Sequence, residues 1–151
     1  MQKPEETDVL LLVYELGRLI RTRSDQRARH RGMTRAQWVI LSRLERQPGM
    51  TQNELAALVE VEPITIARLV DRLEARGFLE RRADPSDRRV RRLHLLPASG
   101  ALLEEIHVYK AEMQALMGAG ISAERIEPLV RDLQQMKANL MAEPRPEAKA
   151  G

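Results

Sequence analysis

TQNELAALVEVEPITIARLVDRLEARGFLERRADPSDRRVRRLHLL, residues 51–96, is the stretch that decides the fold. Thr51-Gln-Asn-Glu54 opens a helix whose buried face is expected from Leu55, Ala56 and Leu58. A tight connection, Val59-Glu-Val61, leads to a second helix that begins at Pro63 and is expected to end at Gly77. Phe78 to Leu96 reads as two strands around the loop Ala83-Asp-Pro-Ser-Asp-Arg-Arg89. Helix, turn, helix and hairpin in that order predict a winged helix-turn-helix.

Ile66, Leu69, Val70 and Leu73 recur as the core stripe of the second helix, which leaves Ile64, Thr65, Arg68 and Arg72 on the opposite face. Pro63 suits a first helical turn, where free amides favour a phosphate. Arg68 is placed to fork onto guanine O6 and N7; its alternatives are a salt bridge to Asp71 or Glu62, or a phosphate contact. Arg72 and Arg76 suit phosphates or solvent. In the hairpin, Arg88 and then Arg89 are the candidates for entering a narrow minor groove. Asp84 and Asp87 would hold the loop rather than meet phosphate, and Arg81, Arg82, Arg91 and Arg92 would line the strands as a basic flank. The alternative is an inert, solvated hairpin.

Working outward, Val9, Val13, Leu16 and Ile20 mark a first helix from Asp8 that runs through a cationic second half to Arg31 and stops at Gly32. Thr34-Arg-Ala-Gln37 has the capping-box pattern and starts a helix turning Trp38, Leu41 and Leu44 inward, closed by Pro48-Gly49. Past the hairpin, Pro97 starts a long helix with Leu102, Ile106, Tyr109, Met113 and Leu116 at helical steps, broken at Gly118-Ala-Gly120. A last helix, expected from about Glu127 with Pro128 at its first position, carries Ile126, Leu129, Leu133, Met136 and Leu140 as a heptad-like seam. Residues 1–7 read as frayed and 142–151 as a disordered tail. The expected fold is mainly α with a small β-hairpin wing. It is one domain: dimerisation helices at 8–32 and 97–141 flank a winged lobe at 33–96. The apolar seams exceed what so small a lobe covers, which points to a second copy through Val9, Val13, Leu129, Leu133, Met136 and Leu140. The alternative is that these helices pack on their own domain.

Composition agrees with that picture. Among 151 residues there is no cysteine, which removes disulfides and zinc–thiolate sites from the chain, and aromatics are 3%, so the core must be aliphatic. The longest apolar run, Val9 to Val13, is far short of the ~20 residues of a membrane span, and no signal-peptide pattern opens the sequence. Cytoplasmic location, at the nucleoid, is expected. The net charge of +3 hides polarity: Arg18 to Arg92 holds 18 arginines against 10 acids, and the remainder holds 7 cations against 12 acids. Arginine outnumbers lysine 21 to 4. GC-rich codons would explain an arginine excess but not its confinement, whereas guanidinium forks suit phosphates and guanine edges.

MTRAQWVIL (33–41), LVDRLEARGFLERR (69–82) and DPSDRRVRRLHL (84–95), followed by two closing helices, resemble the MarR family of winged-helix regulators over about residues 9–141. GISAERIEPLV (120–130) is similar to the SlyA/RovA branch. The resemblance implies a homodimer on pseudo-palindromic, double-stranded promoter DNA, with Arg68 and Arg88 at the recognition-helix and wing-tip positions. It also implies tuning, most simply release of a repressor, by a small phenolic or aromatic carboxylate. Arg21 would receive the carboxylate, with Ala36, Trp38, Ser42 and Leu69 around it. Two positions depart from the pattern: Leu96 replaces a threonine and Ser99 a glycine, so Ser99 itself is the expected cap of the helix that follows. Ser42 also stands where this branch can carry a histidine.

From the residues alone, Trp38 beside the basic first helix suggests an amphipathic cleft to which Tyr14 adds a hydroxyl, yet Trp38 fits the core equally well. Arg21 has DNA or Asp25 as other partners. His30, His94 and His107 are scattered, with no phosphate loop and no metal-ligand spacing, so neither catalysis, a metal site nor a resident cofactor is expected. The remaining alternative is a winged-helix protein-docking module without sequence-specific DNA binding.

Overall fold

The computed structural model describes residues 8–59 and 61–142, so residues 1–7 and 143–151, including nearly all of the expected tail, lie outside it. Among the described residues, six α-helices and one hairpin follow in the order α1 (Val9–Arg29), α2 (Arg35–Arg46), α3 (Gln52–Val59), α4 (Pro63–Ala75), β1 (Leu79–Ala83), β2 (Arg91–Leu95), α5 (Gly100–Gly118) and α6 (Ala123–Ala142). A 3-10 turn, Pro97–Ser99, precedes α5. The chain divides into two compact units, residues up to His107 and residues from Val108 onward.

In the first unit, local chemistry sets most boundaries. Asp8 caps α1 by accepting from the Leu11 amide at 3.1 Å. The helix ends at Arg29, two residues before the sequence suggested, because His30 to Gly32 form a turn with Gly32 at φ +63°. Thr34 and Gln37 make both bonds of a capping box at the start of α2. Thr51 and Glu54 do the same for α3: the Thr51 amide donates to Glu54 Oε2 at 2.8 Å and Thr51 Oγ1 accepts from the Glu54 amide at 3.2 Å. The amide bond from Thr51, more than its hydroxyl, holds the Glu54 carboxyl below its ordinary range.

Ile40, Leu41 and Leu44 of α2, Leu55 of α3, Ile66, Val70 and Leu73 of α4, Leu79 of β1 and Leu93 of β2 are essentially inaccessible. Leu102, Leu103 and Ile106 close the core from the first half of α5. Each such side chain contributes about 1.5–3 kcal/mol by leaving water. Leu58 does not join them; it is 42% exposed. An eight-residue helix has room for one buried stripe, and Leu55 and Ala56 occupy it.

β1 and β2 pair antiparallel from Leu79↔Leu95 to Ala83↔Arg91, so Ala83 belongs to a strand and the loop is 84–90. The connection between α2 and α3 runs alongside β2, with Gly49 N donating to the Leu93 carbonyl at 2.9 Å and Leu93 N to that of Met50 at 2.8 Å. The wing is thereby stitched to the lobe by backbone. Ser99 does not cap α5: its hydroxyl donates backward to the Leu96 carbonyl at 2.7 Å.

In the second unit, α6 starts at Ala123, earlier than expected, and Pro128 lies inside it. Gly120 at φ +78° and the bond from Arg125 N to the Ser122 carbonyl launch the helix before the proline is reached. Pro128 then lacks the amide that would bond the Glu124 carbonyl. No residue of α6 is buried: Leu129, Leu133 and Met136 are each more than 40% exposed, and Leu140 is 80% exposed. No described helix is long and apolar enough to cross a membrane.

Candidate nucleic-acid interface

The orientation of α4 follows from its two faces. Ile66, Leu69, Val70 and Leu73 anchor it in the lobe, and Pro63, Ile64, Thr65, Arg68 and Arg72 consequently lie on the exposed side. Glu62 stands at the N-cap in extended conformation without a side-chain cap bond, and Pro63 occupies the first turn. Gly77, at φ +75°, ends the helix and turns the chain into β1.

The arginines of residues 63–95 fall into two groups. The first is engaged internally. Arg81 donates to Gln52, Glu74 and Asp71. Arg92 binds Asp84 and donates to the Gly49 carbonyl at 2.9 Å. Arg82 pairs with Glu80, and Arg76 donates to the Gly32 carbonyl at 3.1 Å while lying over the Phe78 ring. The second group, Arg68, Arg72, Arg88, Arg89 and Arg91, is exposed and makes no side-chain ion pair among the described residues. The expected basic flank of the wing is therefore divided: Arg81 and Arg92 are taken up by the fold, Arg82 pairs at the surface with Glu80, and Arg91 is left without an ion pair among the described residues. The ion-pair partners of Arg81 and Arg92 lie 7 to 10 residues away, whereas Gln52, which Arg81 also binds, and the Gly49 carbonyl, which Arg92 also binds, are 29 and 43 residues distant, beyond any local pattern.

Asp84 organises the wing loop. It is buried, and its Oδ1 accepts from the Ser86 amide at 2.8 Å, the Ser86 hydroxyl at 2.5 Å and the Asp87 amide at 3.2 Å. The Ser86 hydroxyl first, then the Arg92 guanidinium, hold its carboxyl well below the usual range, and Asp84 in turn raises Arg92. Asp87 accepts from the Arg89 amide at 3.0 Å. Both acids thus brace backbone, which leaves the Arg88 and Arg89 side chains outward on a fixed loop.

The suggested small-molecule residues are more dispersed. Trp38 and Leu69 belong to the core, Ala36 and Ser42 are half-buried, and Tyr14 is 67% exposed. Arg21 is exposed, with its guanidinium near Gly17 of the preceding turn. Asp25, the acid offered for it, pairs instead with Arg35 at 3.3 Å. No group of three or more acidic, histidine or cysteine side chains suited to a metal ion occurs among the described residues.

A two-helix reader with an arginine-bearing hairpin beyond it defines a winged helix-turn-helix protein. The model of the MarR family matches residues 33–90. The solved transcriptional regulator PA3341 is 33% identical with a TM-score of 0.78, covering 88% of this chain and 98% of that one. The transcriptional regulator SlyA is 26% identical with a TM-score of 0.77, over 88% of this chain and 94% of its own. The chain belongs to the MarR family, consistent with the SlyA branch of winged-helix transcription regulators. A complex of MepR from S. aureus with DNA shares the fold, at 23% identity and a TM-score of 0.75, with 89% and 98% of the two chains covered.

Proposed function

We propose that this protein is a homodimeric repressor that reads a pseudo-palindromic promoter site. α4 enters the major groove and the loop between β1 and β2 enters the adjacent minor groove. The observation that carries this reading is the division of the arginines. Arg81 and Arg92 are neutralised within the lobe and Arg82 at its surface, while Arg68, Arg72, Arg88, Arg89 and Arg91 make no ion pair among the described residues on α4 and the wing. Five desolvatable guanidinium groups without counter-charge suit a polyanion, and a docking surface for protein would not need them. Support also comes from the MepR complex, a relative in fold seen with DNA.

Within α4, Arg68 is the base reader and Arg72 the phosphate contact. Ile64 and Thr65, one turn earlier, present an aliphatic surface and a hydroxyl, and the C5-methyl of thymine is the apolar group the major groove offers them. Arg88 enters the minor groove, with Arg89 beside it. Self-association covers Val9 and Val13 of α1 and Leu129, Leu133, Met136 and Leu140 of α6, all exposed in the single chain. It sets two copies of α4 about 34 Å apart, one helical turn of DNA. Occupying such a site blocks polymerase, hence repression in the cytoplasm at the nucleoid.

A small aromatic carboxylate would release the complex by lodging beside α1 and α2. Arg21, free of any ion pair among the described residues, receives its charge, and Tyr14, Ala36, Trp38, Ser42 and Leu69 supply the surrounding surface. The experiment is selection of bound duplexes from fragments of the host genome, followed by a panel of aromatic acids against the selected complex. Enrichment of a two-fold-related site supports the reading. Uniform recovery of fragments, or none at low salt, refutes it and favours a docking module.

A further inference from the structure

Arg81 joins three elements. Its Nε and Nη2 both donate to Gln52 Oε1, at 2.9 and 2.7 Å, and Nη2 also reaches Asp71 Oδ1 at 2.6 Å. Nη1 donates to Glu74 Oε2, and the Arg81 backbone amide donates to the other oxygen of that carboxylate at 3.2 Å. One side chain of β1 thereby holds the first residue of α3 and two carboxylates of α4. It is 22% exposed, against 66% for Asp71.

The place of Asp71 gives this arrangement its meaning. It follows Arg68 by three residues and adjoins Arg72, and residues three apart on a helix are neighbours. A carboxylate there would pair with the Arg68 guanidinium, and that pair would have to break before the fork could meet a guanine. It would also set a negative charge against the phosphates. Glu74, three residues further on, adds a second. In the structure Asp71 pairs with Arg81, and Arg68 makes no ion pair among the described residues.

We propose that Arg81 is a positioning residue for DNA reading: by holding Asp71 and Glu74 it keeps the Asp71 carboxylate off Arg68 and leaves that guanidinium available to the major groove. The inference rests on the reading of α4 as the DNA-contacting helix. Arg81 touches no DNA in this scheme; it acts through Asp71. Lysine would not replace it, because one ammonium cannot present the divergent donors that meet Gln52, Asp71 and Glu74 together.

The test uses the full-length protein and its Arg81→Gln, Asp71→Asn and doubly substituted forms. The probes are the tightest duplex selected from a random pool of about 30 base pairs, long enough for two half-sites, and a scrambled duplex. Thermal unfolding is followed in parallel. Arg81→Gln is expected to weaken binding to the selected duplex roughly tenfold and to lower the selected-to-scrambled ratio, while Asp71→Asn alone binds within about threefold of the parent. The double variant regains affinity to within about threefold, yet melts as low as Arg81→Gln because the links to Gln52 and Glu74 are still missing. Affinity rescued without stability is an outcome that a purely structural Arg81 would not give.

Failure of Asp71→Asn to rescue overturns the proposal. So does a loss of about fivefold or more from Asp71→Asn alone, since that would make the tie itself the useful contact. This second arm decides the matter if Arg81→Gln does not fold, because Asp71 lies on the surface. A parent protein that binds no duplex would sink the DNA reading along with the proposal, whereas a parent that binds without rescue sinks only the role of Arg81.

Discussion

The salt dependence of DNA binding can be worked from the arginine census. On α4 and the wing, each protomer offers Arg68, Arg72, Arg88, Arg89 and Arg91 without counter-charge among the described residues. With Arg68 on a base edge, four remain for the phosphate-rich grooves, which makes about eight in a dimer. At a slope of about −0.9 per neutralised phosphate, log K falls against log salt with slope near −7. Raising salt from about 50 to about 200 mM should then weaken binding by roughly four orders of magnitude. Fluorescence anisotropy on a selected duplex across that range measures it. Arg91→Gln removes two charges from the dimer and should bring the slope to about −5.5. Arg82→Gln, one residue from the cross-strand partner of Arg91 and already neutralised by Glu80, should move it by less than about half a unit. Equal changes from both substitutions would refute the division into structural and DNA-facing arginines. A slope near zero would refute DNA binding altogether.

Arg88→Ala should weaken DNA binding about tenfold or more, ~1.4 kcal/mol, with unchanged thermal unfolding, because the loop is held by Asp84 and Asp87 rather than by Arg88. Unchanged affinity would take the wing out of the interface. Leu133→Glu, in the exposed seam of α6, should shift the protein to monomers in sedimentation and lower DNA affinity with it; a dimer of undiminished strength would remove that seam from self-association. Acid should destabilise the lobe through Asp84. Its folded carboxyl lies below the unfolded value of about 3.9, so the stabilisation is complete above that pH and is lost as pH falls toward the folded value. Denaturant titrations from about pH 5 to pH 2 should therefore show a shallower pH dependence in Asp84→Asn than in the parent, and parallel curves would deny Asp84 that role.

What was legible in the sequence is what local interactions decide. Thr34 and Gln37 are three residues apart, so their capping box is readable in the sequence and it forms; Thr51 to Glu54, read as a helix opening, forms a second box with the same spacing. The stripe of Ile66, Leu69, Val70 and Leu73 fixed the buried face of α4, and hence the exposed one, by periodicity alone. The errors arise where a local rule met a competing one. Pro128 suggests a start of α6 near Glu127, whereas the turn from Gly118 to Ser122 already commits the chain to helix. Leu58 has the spacing of an inward residue, but so short a helix has no second stripe to bury.

The arginines mark the limit more sharply. Arg81, Arg82, Arg91 and Arg92 look equivalent in the sequence, four like residues on two short strands. They differ only by register and by distant partners: Gln52 and the α4 carboxylates for Arg81, the loop acid Asp84 and a carbonyl of the α2–α3 turn for Arg92. Pairing across the sheet sets Arg81 opposite the buried Leu93, where its fork can close on the lobe, and sets Arg91 opposite Ala83 at the loop end, where no acid is within reach to pair with it among the described residues. The same residue type thus does two jobs because burial and register sort it. Lysine would serve the outward job on phosphate but not the inward one, which needs several fixed donors on one plane. An arginine-rich wing is therefore partly a scaffold, and its capacity for DNA is set by the guanidinium groups the scaffold leaves unspent.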